Sequence, residues 1–310
     1  MLTRPLILPT AFGLACALAA CGGASDARNG LRGEVREDGS STLYPVAVAV
    51  AEQFGRAYPG VRVSVGVSGT GGGIRRLCSD QIDLANASRA MTPDEATSCR
   101  ARGVEVIEIP LALDGVTVVA RRDSEFLDCL SVEELARLWQ PGSAVELWSD
   151  LRPDFPESEV HLFGAGSSSG TYDFFTEQIV GSTRASRTDF QASEDDNVIV
   201  TSVAGDAQAL GFFGYVYFAA NAERLRAVAI DDGSGCVRPS PATIADGSYA
   251  PLVRTLYLYL NTSSLERPAV QRYVEFLLER VERLVADVGY VALPSAAYAE
   301  SSARLGRAPS

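Results

Sequence analysis

The sequence predicts an α/β protein, because short β-rich runs alternate with helical patterns along most of its 310 residues. Hydrophobic residues make up 46% of the chain and charged residues 21%, which is typical of a globular protein rather than a disordered one. A chain of this length can form one large domain or two of ordinary size, each with its own core. We therefore expect a folded α/β protein with largely parallel sheets.

Seven runs rich in β-branched and aromatic residues predict strands. They lie at 61–67, 83–88, 104–113, 116–122, 159–165, 209–219 and 225–230. Helical patterns lie between them at 45–58, 131–139 and 171–180. A long amphipathic pattern at 267–289 predicts one helix that covers a face of a sheet.

The first twenty residues predict a secretory signal, since they carry one arginine, no acid and an apolar stretch that is short for a membrane span. The following LAAC at 18–21 resembles a bacterial lipobox, in which the signal is removed and the cysteine is lipid-modified. We expect Cys21 to anchor the protein at the periplasmic or extracellular face of a bacterial membrane, and 21–32 to form a polar tether. An ordinary signal peptide with a coincidental cysteine is the alternative.

Four cysteines remain once Cys16 in the signal and Cys21 at the anchor are set aside. An even number in an exported protein predicts two disulfides. Three pairings are possible, and one of them closes a short local loop. The preferred pairing joins Cys78 to Cys99 and Cys129 to Cys236. The spacings contain no C-x-x-C pair, so no metal site is expected.

The formal net charge of −12 argues against a nucleic-acid partner, because clustered cationic side chains hold phosphate backbones. All 27 basic residues are arginine, which excludes a P-loop, since that motif needs a lysine. A small anion can still be bound by local backbone dipoles in an acidic protein.

Three loops rich in serine, threonine and glycine precede predicted helices. They are DGSSTLYP at 38–45, SGTGGG at 68–73 and GAGSSSGTYDFF at 164–175. The first turn of a helix has unpaired N–H groups that carry partial positive charge. Glycine lets an anion approach these groups closely, and the hydroxyls of serine and threonine add further hydrogen-bond donors. Each loop alone could be an ordinary helix cap. Three converging loops would form a cage of neutral donors for a tetrahedral oxyanion.

The third loop also matches the G-x-S-x-G pattern of serine hydrolases, with Ser168 as the nucleophile. The one histidine, His161, precedes that serine, whereas this class places its histidine last. A hydrolase is therefore a remote alternative, and we expect no enzymatic activity.

Five motifs, in order over 38–200, resemble the phosphate-binding proteins of Pst-type ABC transporters. They are DGSSTLYP, VSGTGGGIRRLC, DLANASRAM, SSGTYDFF and SEDDNVIV, and DAQALGFFGY extends the resemblance more weakly to about residue 261. The resemblance implies a type II periplasmic-binding-protein fold, in which two α/β lobes close over one anion. It places the first lobe at 33–114 plus 257–306 and the second at 115–256, so that Cys129 and Cys236 share a lobe.

The resemblance also implies a function. The protein would capture inorganic phosphate with high affinity outside the cytoplasmic membrane and deliver it to the permease subunits, as a monomer without a cofactor. Binding of another oxyanion, such as sulfate, molybdate or phosphite, is the alternative.

Residues in the three loops match the anion ligands of that family. The resemblance implies hydroxyl or backbone donors at Ser41, Thr42, Leu43, Ser68, Thr70, Ser169, Gly170 and Thr171.

Two positions depart from the best-known branch of the family. Ala165 stands where that branch has an arginine, and Arg89 stands where it has an aspartate. We expect Arg89 to supply the principal cationic contact, because a guanidinium can donate two parallel hydrogen bonds to an oxyanion. Arg184 and Arg187 are the next candidates. A surface ion pair of Arg89 with Asp83 or Asp94 is the alternative.

The missing aspartate leaves open which group accepts the proton of phosphate. Such an acceptor would also repel fully ionised sulfate. Asp196 is the preferred candidate among the acids of SEDDN at 193–197, and a solvated turn that caps a helix is the alternative.

Overall fold

The computed structural model describes residues 30–306. The expected signal segment 1–20, the anchor Cys21 and most of the tether lie outside the described residues. No helix within 30–306 has the length and apolar character needed to span a membrane.

Strands and helices alternate through the described chain. The strands are β1 (Gly33–Gly39), β2 (Val61–Val65), β3 (Leu84–Ala87), β4 (Val106–Arg121), β5 (Cys129–Ser131), β6 (His161–Ala165), β7 (Gln191–Ser193), β8 (Ala209–Gly214), β9 (Leu225–Ala227), β10 (Ala229–Asp231), β11 (Cys236–Val237), β12 (Val253–Asn261) and β13 (Val291–Ala292). The helices are α1 (Tyr44–Ala57), α2 (Thr70–Leu77), α3 (Pro93–Ala101), α4 (Val132–Trp139), α5 (Trp148–Leu151), α6 (Gly170–Val180), α7 (Asp196–Gly205), α8 (Tyr215–Ala219), α9 (Pro241–Ala245), α10 (Pro268–Leu278), α11 (Val281–Val288) and α12 (Ser295–Leu305). The predicted α/β class is confirmed.

A ten-stranded sheet organises the molecule, in the order β2-β1-β3-β12-β4-β8-β6-β7, with β9 and β13 also paired to β4. The pairs β1–β2, β1–β3, β6–β7 and β6–β8 are parallel. The expectation of largely parallel sheets is wrong at the centre, where β12 and β4 are antiparallel to their neighbours. The chain crosses from one side of the sheet to the other through β4 and comes back through β12, so these two strands run in opposite directions.

Strand β4 joins two halves of this sheet. Its residues up to Gly115 pair with β12, and its residues from Val116 onward pair with β8. We call β1, β2, β3, β12 and 106–115 the first half, and 116–121, β6, β7 and β8 the second half. The division of the chain into lobes at the boundaries given above stays a prediction.

Four elements predicted from sequence patterns differ in the structure. The strand expected at 225–230 is two short strands, β9 and β10, which belong to different sheets. The two strands expected at 104–113 and 116–122 are one, because Gly115 stays in register with Val253. The strand expected at 209–219 ends at Gly214, and helix α8 begins where the N–H of Tyr215 donates to the Asp114 carboxylate at 3.1 Å. The single long helix expected at 267–289 is two, because the backbone leaves the helical conformation at Arg280.

Aromatic packing fixes the helix that begins at the third Ser/Gly loop. Phe175 of α6 stacks on Phe212 of β8 with ring centroids 3.9 Å apart, and Trp139 of α4 packs edge-on against both rings. All three side chains are buried. Aromatic contacts of this kind add to the free energy gained by burial, so α6 is held firmly against the second half of the sheet.

Two disulfides join Cys78 to Cys99 and Cys129 to Cys236. The first ties the end of α2 to α3, and the second joins β5 to β11 in a separate three-stranded sheet. The described residues contain no group of three or more His, Cys, Asp or Glu side chains that could hold a metal ion.

The two disulfides should differ in their contribution to stability. They close loops with sequence separations of 21 and 107, and a longer closed loop removes more entropy from the unfolded chain. Replacing Cys129 and Cys236 by serine should lower the free energy of unfolding by about 5 kcal/mol, against about 3 kcal/mol for Cys78 and Cys99. Urea unfolding measures both losses, after peptide mapping of the native pairing. Four free thiols, or equal losses, would contradict this expectation.

Candidate functional site

Two of the three Ser/Thr/Gly loops meet where the halves of the sheet adjoin. The hydroxyl oxygen of Thr42, in the loop before α1, lies 3.2 Å from the hydroxyl oxygen of Thr171, in the first turn of α6. Both residues are buried. Ser169 caps α6 by accepting the N–H of Thr171 at 3.1 Å. The structure therefore brings together one predicted ligand loop from each half.

Arg254 lies against both threonines, although no pattern in the sequence predicts it. Its Nη2 donates to Thr171 Oγ1 at 2.9 Å and to Thr42 Oγ1 at 3.2 Å. The same guanidinium pairs with Asp114, with Nη2 at 2.9 Å and Nε at 3.1 Å from Oδ2. Only 2% of the Arg254 side chain is exposed. Its Nη1 is buried and has no hydrogen-bond partner among residues 30–306.

The position of Arg254 in the fold explains how its guanidinium is held. Arg254 on β12 and Asp114 on β4 are directly paired in the antiparallel ladder, at the point where β4 passes from the first half to the second. A buried charge of this kind is tolerated only when it is paired and hydrogen-bonded. The site therefore contains one cation that is held in place by the strands joining the halves.

Asp196 faces the first ligand loop from the second half. Its Oδ2 accepts a hydrogen bond from Ser41 Oγ at 3.0 Å, and its side chain is buried at the start of α7. Burial raises the pKa of the Asp196 carboxyl to about 7, although the Ser41 hydrogen bond and the charge of Arg254 oppose that rise. A carboxyl with this pKa can exchange a proton near neutral pH.

The second ligand loop contacts the third through small groups. Thr70 Oγ1 accepts the N–H of Ser88 at 3.1 Å and lies 3.1 Å from the Ser88 hydroxyl oxygen. A Cβ at Gly170 would lie 2.5 Å from Thr70 Oγ1 and 2.7 Å from Ser88 Oγ, so only glycine fits there. Ser68 Oγ is buried and has no hydrogen-bond partner within the described chain. Ser88 is a further polar residue at this contact, and the end of the buried run DLANAS was its only signal in the sequence.

Backbone amides at the same contact are free to donate. Leu43 precedes α1, and Gly170 is the first residue of α6. Within the described part of the chain, neither N–H has a hydrogen-bond acceptor. The partial positive charge at a helix N-terminus makes such amides good donors to an anion. Hydroxyls, amides and one guanidinium thus converge between the two halves.

Arg89 has other partners than those expected. Its Nη1 and Nη2 donate to the Glu95 carboxylate at 2.8 and 2.9 Å, and its Nε donates to Asp173 at 2.8 Å. Neither partner is Asp83 or Asp94. Since two carboxylates occupy its guanidinium, Arg254 is better placed to contact an anion held by the threonines. The hydrogen bonds of Arg89 therefore do not support the predicted contact between Arg89 and the anion.

The next two candidate arginines are also paired. Arg184 donates from Nε to Asp173 at 2.8 Å, and Arg187 donates from Nε to Asp189 at 2.6 Å. Arg254 alone among these arginines contacts both Thr42 and Thr171.

The hydrolase interpretation lacks a histidine near Ser168. His161 begins strand β6, whereas Ser168 follows the other end of that strand. The imidazole Nδ1 of His161 lies 2.6 Å from Asp206. The strand itself spans roughly 13 Å, so the chain's one histidine is out of hydrogen-bond reach of the serine.

Comparison with known proteins settles the family. A family model described as a PBP superfamily domain matches residues 24–281, which is most of the chain. The chain belongs to the PBP superfamily. The two-lobed periplasmic-binding-protein fold expected from the motifs is thereby confirmed.

Named relatives of this PBP-superfamily chain are similar over most of its length. Protein SphX from Synechocystis sp. is 40% identical over 264 residues, which cover 84% of this chain and 79% of the relative. Phosphate-binding protein PstS from Staphylococcus saprophyticus is 38% identical over 301 residues, which cover 96% and 92%. A solved structure of a possible phosphate binding protein from Planctomyces limnophilus is 41% identical, with a TM-score of 0.66 and coverage of 90% and 100%. The resemblance to phosphate-binding proteins of the Pst type is confirmed.

Asp196→Asn should remove a pH dependence of stability. The folded pKa of about 7 lies above the ordinary value of 3.8, so the folded protein binds more protons than the unfolded chain between these values. The stability contributed by Asp196 is therefore full below about pH 4 and falls as the pH rises toward 7, by up to about 4 kcal/mol. Urea unfolding across this range, in buffer without phosphate, measures the fall.

The matched control is Asp195→Asn at the exposed neighbouring position, which should keep the fall. The assignment to Asp196 would be refuted if the wild type and Asp196→Asn showed the same slope of stability against pH.

Proposed function

We propose that this protein binds inorganic phosphate between the two halves of its sheet and delivers it to an ABC permease. The observation that carries the proposal is the buried Arg254, which contacts Thr42 from one half and Thr171 from the other. The names of its relatives, phosphate-binding protein PstS among them, support the same ligand. The protein acts by capture and release, without chemistry on the ligand.

The donor set suits a tetrahedral oxyanion. The hydroxyls of Thr42 and Thr171 turn from each other to the anion, and the free Nη1 of Arg254 adds a charged donor. The amides of Leu43 and Gly170 and the hydroxyls of Ser68 and Thr70 complete the set. Because donors come from both halves, the anion is fully enclosed only when the halves meet.

Asp196 distinguishes phosphate from sulfate. Phosphate carries a proton at neutral pH and sulfate does not, so a carboxylate beside Ser41 accepts a hydrogen bond from phosphate and repels sulfate. With a pKa of about 7, part of the Asp196 carboxyl population is ionised near neutral pH, and the ionised form can accept a hydrogen bond from the proton of phosphate. The hydrogen bond of Asp196 to Ser41, in the loop before α1, supports its role in contacting the same anion.

The protein works outside the cytoplasmic membrane, anchored by lipid at Cys21. Support comes from the signal-like segment 1–20, the LAAC sequence at its end and the polar residues that follow. The disulfides Cys78–Cys99 and Cys129–Cys236 are consistent with an oxidising compartment.

Mass spectrometry of the mature protein tests the anchor. The mature chain should begin at Cys21 and carry the mass of attached lipid, and Cys21→Ser should release the protein from the membrane fraction. An unmodified N-terminus, or one that begins at another residue, would exclude the lipid anchor while leaving phosphate binding open.

Arg254→Lys should weaken phosphate binding by roughly 10- to 100-fold. Lysine keeps a positive charge beside Asp114, so the buried carboxylate stays paired, but it lacks the second donor arm that Nη1 provides. Isothermal calorimetry with phosphate measures the change in Kd. Thermal unfolding without phosphate shows whether the variant is folded.

Arg36→Lys is the matched control, because Arg36 pairs with another buried aspartate, Asp83, away from the threonines. It should leave the Kd unchanged. Competition with sulfate completes the experiment, and tighter binding of sulfate than of phosphate would move the proposal to another oxyanion. An Arg254→Lys protein that binds phosphate like the wild type would remove Arg254 from the site.

A further inference from the structure

We propose that Arg89 and Asp173 form a latch that holds the two halves closed and sets the rate at which the anion leaves. This inference rests on the proposed function, because it needs a ligand enclosed between the halves. It assigns to Arg89 a positioning role in place of the direct contact expected from the sequence.

The latch crosses between the halves. Arg89 follows β3 in the first half, and Asp173 lies in the first turn of α6, which packs on the second half. Arg89 Nε donates to Asp173 Oδ2 at 2.8 Å. The two side chains are 11% and 2% exposed, so water screens this ion pair far less than one on the surface. A pair at this position exists only while the halves are in contact.

Each latch residue has a second partner in its own half. Arg89 donates two further hydrogen bonds to Glu95, and Asp173 accepts from Arg184 Nε at 2.8 Å. When the halves separate, neither charge loses all its partners, so opening does not leave a bare buried ion. The latch therefore adds to the stability of the closed state without making opening prohibitive.

The latch residues are adjacent to the residues that would hold the anion. Arg89 follows Ser88, whose N–H and hydroxyl contact Thr70. Asp173 comes two residues after Thr171, and its N–H donates to Ser169 O at 3.1 Å. Closing the latch consequently positions the first turn of α6 against the first half. Arg89 and Asp173 act on the anion through these neighbours and need not touch it.

Electrostatics and the latch predict opposite effects for Asp173→Asn. The Asp173 carboxylate is a negative charge next to an anion site, so its removal would strengthen anion binding if charge alone mattered. Loss of the latch weakens binding instead, because the closed state is less populated. The sign of the change thus separates the two explanations.

The test is stopped-flow release of phosphate from the mature chain carrying Asp173→Asn or Arg89→Gln. Each variant should release phosphate roughly 3- to 30-fold faster than the wild type, with little change in the association rate, as is usual when contacts of the bound state are lost. Arg184→Gln is the matched control. Arg184 also pairs with the Asp173 carboxylate at 2.8 Å, but this ion pair lies within the second half. It should change the release rate less than about twofold, because the contact between the halves remains.

Hydrogen exchange at Gly71 gives a second measurement that does not depend on phosphate. The Gly71 amide donates to Ser168 O at 3.1 Å between the halves, so its exchange reports their separation. It should exchange faster in Asp173→Asn and Arg89→Gln than in Arg184→Gln or the wild type.

Unchanged release and unchanged Gly71 exchange in both latch variants would overturn the latch, as would tighter phosphate binding by Asp173→Asn. A wild type that binds no phosphate would overturn the proposed function, and Gly71 exchange alone would then decide the latch.

Discussion

The buried pair of Arg254 and Asp114 is the constraint on which the site depends. The two residues face each other on β12 and β4, at the exchange between the halves of the sheet. A charge buried there must be paired, so the guanidinium has a fixed position. From that position it reaches a threonine on each side. The strands that join the halves thus carry the guanidinium that hydrogen-bonds to both candidate ligand loops.

An acidic chain can hold an anion because its donors are local and mostly neutral. The formal net charge is −12, yet hydroxyls and helix N-terminal amides surround the guanidinium of Arg254, which is already paired with Asp114. Neutral dipoles act over short distances, so they favour an anion inside the contact without attracting anions elsewhere on the surface. Arg89, Arg184 and Arg187 are each paired with a carboxylate, so their charges are largely balanced within the protein.

The sequence predicted the three candidate ligand loops better than the side chains that contact them. Small and hydroxylated residues before a helix have a direct physical meaning, so the three loops could be predicted from local pattern. The resemblance to phosphate-binding proteins singled out Thr42, Thr171 and Gly170 within them. Arg254 could not, because its contacts come from the register between β12 and β4, which local pattern does not encode. Strand β1 was missed for a similar reason: it is rich in charges, and its buried Glu37 is satisfied by the distant Asn86 and Tyr273.

The contact at Gly170 sets the tolerance of closure. A single Cβ there would lie within 2.7 Å of two hydroxyl oxygens that belong to the opposite half. The fit between the halves is therefore finer than the thickness of one methyl group. An ion that held the halves apart by even this distance would lose the hydrogen bonds of the opposite loop. We therefore expect closure of the halves to depend on the radius of the bound ion as well as on its charge.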